Sequence, residues 1–437
     1  MTKKPMLKLL LAAAALLLML APMMTAQARS SGIRAATTTL GNFNGTPVTY
    51  NTNTNGCDGT LIGVFGSSAV KSFVLQAAID YCNQYKAAHG GNGSGGPDVE
   101  YAISPAGDSC PGVDYAADNS DANEIGASDV FAPACTGALA RAASKINDTN
   151  LGPNIVDAIA QCPGANDVQG GSVHPLSPDV QCQGSAATAG TCASIPTLQF
   201  PAPDNLSQLG GRLLWSSAAG DWSQVGGCLG FTPFLQERVT GSGTRATYCL
   251  NIFGPGVDLC ANTATAPAAD TTGTMVKDVC GNSTTGAGPV DGFGTIGYVA
   301  RTAVVKNPNQ PAGVTNAPLA GCGLVQLGGK DGYNRNCDPG QVTLGNPQPY
   351  TGVNAQSGAT TCKGDLQVVD GEYAVWGYEH FDVNQVSGNN AAAKAFITFA
   401  LGDDITFQSL GFMRNCQMQV SRGIDGGPYV ATAGASC

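Results

Sequence analysis

A chain of 437 residues with 43% hydrophobic content can fill two domains, or a domain pair, rather than one small core. Its formal net charge is -10 with only 12% charged residues, a balance that repels nucleic acid and anionic membranes. The 16 cysteines lack C-x-x-C spacing and the three histidines, His89, His174 and His380, are scattered, which points to disulfides, not a metal centre, and to surface or packing roles for the histidines.

The N-terminus reads as a secretory signal: Lys3, Lys4 and Lys8, an apolar core from Leu9 to Leu20, and an A-x-A site at Ala26-Gln27-Ala28. Cleavage after Ala28 (signal 1–28) would start the mature chain at Arg29 and move its charge from -10 to -13. The apolar run is too short for a comfortable membrane span and nothing later supplies one, so the mature chain is expected to be soluble and exported, periplasmic or secreted.

Residues 29–56 read as a polar, extended entry segment. Leu61–Phe65 is a short buried strand ending at Gly66-Ser67-Ser68. Val70, Phe73, Val74, Ala77, Ala78 and Tyr81 then recur at helical spacing, predicting a helix from Ala69 to about Ala88. Two strands follow, Val99–Ile103 and Glu124–Ser128, the second running into Asp129. Beyond Asn150 the chain reads as irregular, with a cysteine-stapled insertion at 160–195 and a short helix carrying Trp215 and Trp222 within 206–225. Residues 255–290 read as a Cys/Thr/Gly-rich loop, Thr295–Ala300 as a strand and 305–362 as loop. A strand at Glu372–Val383 and a helix at about 390–401 end the pattern, and the alternation of strands and helices argues for an α/β architecture.

The richest stretch is Arg238-Val-Thr-Gly-Ser-Gly-Thr244. A Gly-Ser-Gly-Thr turn opening a helix leaves backbone N–H groups without intrahelical partners, and these add to the helix dipole to make an anion cradle. Ser242 and Thr244 bring hydroxyls, and Arg238 a planar fork suited to a tetrahedral oxyanion. An ordinary Gly/Ser turn with a surface arginine is the plainer alternative. Gly292-Phe-Gly-Thr-Ile-Gly297 matches the dinucleotide GxGxxG but runs into a strand instead of a helix, the reverse of the required context. Ser68-Ala-Val-Lys71 matches S-x-x-K without the S-D-N and K-T-G that should accompany it, and its helix-start position explains Ser68 more simply. Asp118-Asn-Ser-Asp121 with Glu124 lacks calcium-loop spacing.

Taken in order, Gly66-Ser67-Ser68, Gly126-Ala-Ser128-Asp129, Arg238–Thr244, Gly294-Thr-Ile-Gly-Tyr-Val299 and Glu372-Tyr-Ala-Val-Trp-Gly-Tyr-Glu379 resemble the loops and strands of the PstS-like phosphate-binding family, the substrate-binding proteins of phosphate ABC importers. The resemblance implies a type II periplasmic-binding-protein fold, two hinged α/β domains around a ligand cleft, with Cys-rich disulfide-stapled loop insertions. Domain 1 would take 41–137 plus 372–437 and domain 2 would take 138–371. It implies a non-enzymatic role: phosphate, or a related oxyanion, bound without cofactor or metal and handed to an ABC importer permease.

By that resemblance the ligand-binding residues are Ser67, Ser68, Ser109, Asp129, Arg238, Ser242, Gly243 and Thr244, with Ser104 an alternative to Ser109. Ser67 would donate from hydroxyl and amide. Asp129 would accept a proton from the ligand and so favour protonated phosphate over sulfate, unless it is simply the N-cap of the next helix. Thr240 stands where the family has an aspartate, which predicts a less well oriented Arg238, and Asp108 would repel an anion if it pointed inward. The competing expectation is a secreted structural or surface-interaction protein on the same fold without tight anion binding. A phosphate-handling hydrolase is the weakest alternative, for want of histidine.

Overall fold

The computed structural model describes residues 36–105, 109–118, 123–135, 145–161, 205–227, 232–254, 260, 268–280, 295–301, 322–328, 368, 371–386, 390–403 and 415–432. The signal segment, Asp108, residues 119–121, most of the 160–195 insertion, Gly292 and most of 305–362 lie outside these residues. No helix of the described residues is long and apolar enough to cross a membrane.

Strands β1 (Thr37–Phe43) and β2 (Thr46–Asn51) form an antiparallel hairpin within what the sequence reads as a polar, extended entry segment. Its turn is Asn44-Gly45, both at positive φ, a dipeptide whose backbone twist suits a two-residue hairpin loop. Strand β3 (Leu61–Gly66) leads into helix α1 (Lys71–Ala88), which buries Phe73, Val74, Ala77 and Ala78 as the periodicity predicts. Strand β4 (Asp98–Ile103) precedes helix α2 (Cys110–Asp118), and β5 (Glu124–Ser128) runs into Asp129.

Beyond Asn150 the irregular reading is overturned, because residues 146–161 form one strand, β6 (Ile146–Gln161), of 16 residues. Asn150, Gly152 and Pro153 hid it, since each disfavours a strand. Sheet pairing overrides those preferences, and a register irregularity opposite Glu379 and His380 absorbs the misfit beside Gly152. Strand β7 (Asn205–Leu206) and helix α3 (Gln208–Trp215) follow, with Trp222–Val225 a separate 3-10 turn closed by an Asp221–Gln224 capping box.

Strand β8 (Phe234–Leu235) runs toward Arg238, and helix α4 (Gly243–Phe253) starts where the Gly-Ser-Gly-Thr turn predicts. Residues 255–290 are not all loop: helix α5 (Thr272–Cys280) lies among them. Strands β9 (Thr295–Ala300), β10 (Cys322–Leu327) and β11 (Trp376–Asn384) and helix α6 (Ala391–Gly402) follow, with β12 (Val420–Ser421) and β13 (Val430–Ala431) last. Strand β11 begins at Trp376, later than the expected Glu372.

The fold is α/β around a mixed nine-stranded sheet. Strand β3 lies between β4 and β5, all parallel; β5 pairs antiparallel with β11, and β11 with β6. The far half of β6 then holds β9 on one side and β10 on the other. Two cores follow this division. The one around β3, α1 and α6 is largely aliphatic, with Phe73, Phe381 and Phe396. The one around β6, β9, α3 and α4 is aromatic, with Trp215, Trp222, Tyr248, Tyr298 and Trp376. Disulfides join Cys57 to Cys82, Cys110 to Cys135 and Cys249 to Cys260. The second closes a loop that contains β5 and Asp129, a constraint worth about 3 kcal/mol against the unfolded chain.

Candidate anion site

The parallel strands β3 and β5 end side by side, so the residues after them, Ser67 and Asp129, share one edge of the sheet. The carboxyl edge of parallel strands is where α/β sheets place ligands. Gly66 makes the exit possible. Its φ is 149°, and a Cβ there would overlap the Ala127 carbonyl. Ser67 does not offer its amide as expected, for that N–H donates to Ala127 O at 3.0 Å. Its hydroxyl serves twice, accepting from the Ala69 amide at 3.1 Å and hydrogen-bonding Asp129.

Ser68 is not explained by the helix start. The N-cap of α1 is Val70, without a side-chain cap, and the Ser68 hydroxyl instead faces Arg238 Nη2 at 3.3 Å and the Thr272 amide at 3.4 Å.

Asp129 is fully buried. Its Oδ1 accepts from Ser109 Oγ, and its Oδ2 from Thr244 Oγ1 at 3.0 Å. Ser109 is therefore the serine brought to the site from the 104–109 loop; its hydroxyl also accepts from the Gly243 amide at 3.0 Å. The Asp129 carbonyl accepts from Thr247 at 3.3 Å, so residue 129 faces α4 through main chain and side chain alike, and the N-cap alternative is set aside. Burial pushes the Asp129 carboxyl above its usual range, against the Ser67 hydrogen bond, the Arg238 charge and the Thr244 hydrogen bond, which stabilise the ionised form.

Helix α4 starts at Gly243 with Ser242 as N-cap, whose hydroxyl accepts from the Arg245 amide at 3.4 Å. A Cβ at Gly243 would overlap the Asp129 carboxylate and Ser109 Oγ, so only glycine lets the helix start come this close.

Arg238 is 1% exposed and better oriented than the missing Asp at Thr240 suggests. Its Nε donates to Ala269 O at 3.1 Å, Nη1 to Thr272 Oγ1 at 3.0 Å, and Nη2 to Asp270 O at 3.1 Å as well as to Ser68. Main-chain carbonyls thus hold the fork. Its backbone amide donates to the Tyr298 hydroxyl at 3.3 Å, and Tyr298 stacks on Tyr248 with ring centroids 4.4 Å apart. Trp215 packs edge-on against both rings. The aromatic core sets the position of the arginine.

Thr272 went unnoticed in the sequence. It opens α5 behind the cap of Thr271, whose hydroxyl accepts from the Thr274 amide at 3.0 Å. A threonine cap followed by Met275 and Val279, both buried, is the signal that could have found this helix. Three further titratable groups lie together on β11. His380 is buried on β11 with Nδ1 2.8 Å from Asp148 Oδ1. Burial pulls its imidazole down, but Asp148, Asp382 and Asp425 together raise it overall. Asp382 is pushed up to about 8 by burial first, then by Asp148. Glu379 lies on the same strand, within reach of the Asp129 charge. His89 is a surface residue stacked on Tyr85, as expected, and His174 is outside the described residues.

All eight expected residues therefore occupy one locus: Ser67, Ser68, Ser109 and Asp129 on one wall, Arg238, Ser242, Gly243 and Thr244 on the other. Among the described residues no group of three or more His, Cys, Asp or Glu side chains is placed to hold a metal ion.

No protein-family model matches the sequence, and no curated protein matches it. Solved structures similar to the chain include one described as a phosphate ABC transporter substrate-binding protein with bound phosphate from Clostridium perfringens, at 12% identity and a TM-score of 0.46, covering 81% of this chain and 99% of that one. An ABC-type phosphate transport receptor from Vibrio cholerae is 12% identical with a TM-score of 0.42, covering 80% and 99%. A DING protein is 16% identical with a TM-score of 0.43, covering 80% and 90%. The likeness is one of fold alone.

Proposed function

We propose that the protein is an exported, non-enzymatic binding protein that takes up phosphate or a related protonated oxyanion between its two walls and delivers it to an ABC importer permease. The observation that carries this reading is the pairing of opposites in one buried locus. A guanidinium and the N-terminus of α4 provide donors, and a buried carboxylate beside them provides an acceptor.

The chemistry follows from charge. An oxyanion gains from the Arg238 fork and from first-turn amides of α4 and α5, where the helix dipoles add to the attraction. Asp129 repels a fully deprotonated anion but accepts from one that carries a hydroxyl. A carboxylate has about four lone-pair sites. Ser67, Ser109, Thr244 and the residue's own backbone amide already donate to Asp129, so a ligand hydroxyl would take the place of one of the three rotatable hydroxyls. Phosphate at neutral pH has such a proton and sulfate has none, so the site discriminates by what it refuses. In this reading 41–137 plus 372–437 form one domain, 138–371 the other, and strands β6 and β11 carry the hinge between them.

A specific feature favours the second reading, a secreted structural or surface-interaction protein. The polar groups of the site already pair with one another, Arg238 with Ser68 and Thr272, Asp129 with Ser109 and Thr244, so the fold has a use for them without a ligand. Calorimetric titration of the oxidised mature protein, freed of bound anion, separates the two. Micromolar or tighter binding of phosphate with no heat from sulfate supports the binding protein; no heat from either supports the structural role.

A further inference from the structure

Strands β5 and β11 run antiparallel with His380 opposite Ser128 and Phe381 opposite Ala127. Continuing that register by one step would set Glu379 against Asp129. The last paired residues are His380 and Ser128, Glu379 and Asp129 are the next residues beyond them on the two chains, and the Asp129 charge acts on the Glu379 carboxyl, so the two carboxyl groups are neighbours. Glu379 is 1% exposed, and neither of its carboxyl oxygens has a hydrogen-bond partner among the described residues. Two buried, neighbouring carboxyls cannot both ionise cheaply, and the proton goes to the one whose charge is less well supported. Asp129 has three hydroxyls and the Arg238 charge; Glu379 has none of these.

Resting on the anion-binding reading above, we propose that Glu379 is a specificity-determining residue of the site. It carries the proton of a carboxyl pair with Asp129 and so keeps Asp129 the single negative charge that an incoming oxyanion meets. While Glu379 is neutral, the floor of the site has one acceptor and one charge. If it ionises, the floor carries two charges and expels the anion.

Burial, then the Asp129 charge, holds the Glu379 carboxyl well above the usual range, in keeping with a proton retained at neutral pH. The other groups around it do not take over this role. Tyr101 of β4 donates its hydroxyl to the Ser67 carbonyl. Strand β6 presents Gly152 opposite Glu379. Asp425, pushed up to about 6 by burial against the Phe131 amide and the charges of His380 and Arg422, also senses Asp129. On α4, Arg245 pairs with Glu237. His380 and Asp382 alternate to the opposite face of β11. The charged residues of α1 and α6, Lys71, Asp80, Lys86 and Lys394, are partly or fully exposed.

The test is the ratio of phosphate affinities of the wild-type protein and Glu379→Gln from pH 6 to pH 10, because the ligand's own ionisation and that of Asp425 cancel in the ratio. The glutamine is isosteric and permanently neutral. Equal affinities near neutrality are expected, and above it the wild type weakens relative to the variant by up to tenfold for each pH unit. Glu379→Asp, which still titrates, should behave like the wild type. Difference infrared spectra provide a readout that needs no ligand: a protonated-carboxyl stretch present at neutral pH and absent from Glu379→Gln. A flat affinity ratio across the range, or the absence of that band, overturns the proposal. If neither protein binds phosphate while the band is present, the binding reading fails and the carboxyl pair stands.

Discussion

The two walls of the site solve opposite problems. The second wall concentrates positive character, and it does so rigidly: Arg238 is pinned by two main-chain carbonyls and stands on the stacked Tyr298–Tyr248 pair, with Trp215 edge-on to both rings. The first wall buries negative charge and softens it with hydroxyls, Ser67 and Ser109, that can rotate to serve a new partner. In the proposed reading, a fixed cation and an adjustable acceptor would attract an oxyanion and select it by its proton. The cores beneath them differ in the same sense, planar rings under the arginine and mainly aliphatic side chains under the serine loops.

The largest effect should come from breaking the rigid wall. Arg238→Ala removes the fork and takes one donor from each of the Ala269 and Asp270 carbonyls. Hydrogen bonds to charged groups contribute about 1.5–3 kcal/mol each, so phosphate Kd should rise by about 100-fold or more by calorimetry. Unchanged affinity would remove Arg238 from the site. Next comes the seam between the walls. Gly243→Ala puts a methyl into the Asp129–Ser109 contact. Overpacking of this kind costs about 1–3 kcal/mol, and we expect a lower Tm together with a Kd about tenfold higher. If Tm falls alone, the seam is structural and not part of the binding surface.

The smallest effects sharpen the comparison without breaking it. Ser68→Ala and Thr272→Ala each delete a hydroxyl that touches Arg238, at about 0.5–1.5 kcal/mol apiece. Both residues share the arginine and lie 3.5 Å from each other between their hydroxyl oxygens. The double variant should therefore lose less affinity than the two singles added together, and strict additivity would mean the walls are not coupled through Arg238.

Much of this was legible in the sequence where a run of neighbouring residues does one job. The Arg238–Thr244 loop, the exit from β3 at Gly66 and the Asp129 position each announce themselves through a strand, a turn and a helix start. What escaped notice is assembled across distance. Thr272 belongs to the site only because α5 is carried back against Arg238, and Thr-Thr-Gly-Thr read as loop without its tertiary setting. Glu379 is conspicuous only once β11 is known to pair with β5 in a particular register. Strand β6 failed for a different reason: Asn, Gly and Pro weigh against a strand locally, and only partners on both sides reverse that. The orientation of Arg238 was misjudged because side-chain patterns do not reveal main-chain acceptors, and carbonyls do the work that the absent carboxylate at Thr240 suggested was lost.

The most direct measurement is the affinity for phosphate and for sulfate, side by side, in the wild-type protein and in Asp129→Asn. The amide keeps the shape of the carboxylate but adds an N–H donor and removes the charge. The account predicts that the wild type binds phosphate and rejects sulfate, and that the variant gains sulfate binding while phosphate weakens by about tenfold or less. A variant that rejects sulfate as firmly as the wild type would contradict the claim that a buried carboxylate reads the ligand's proton.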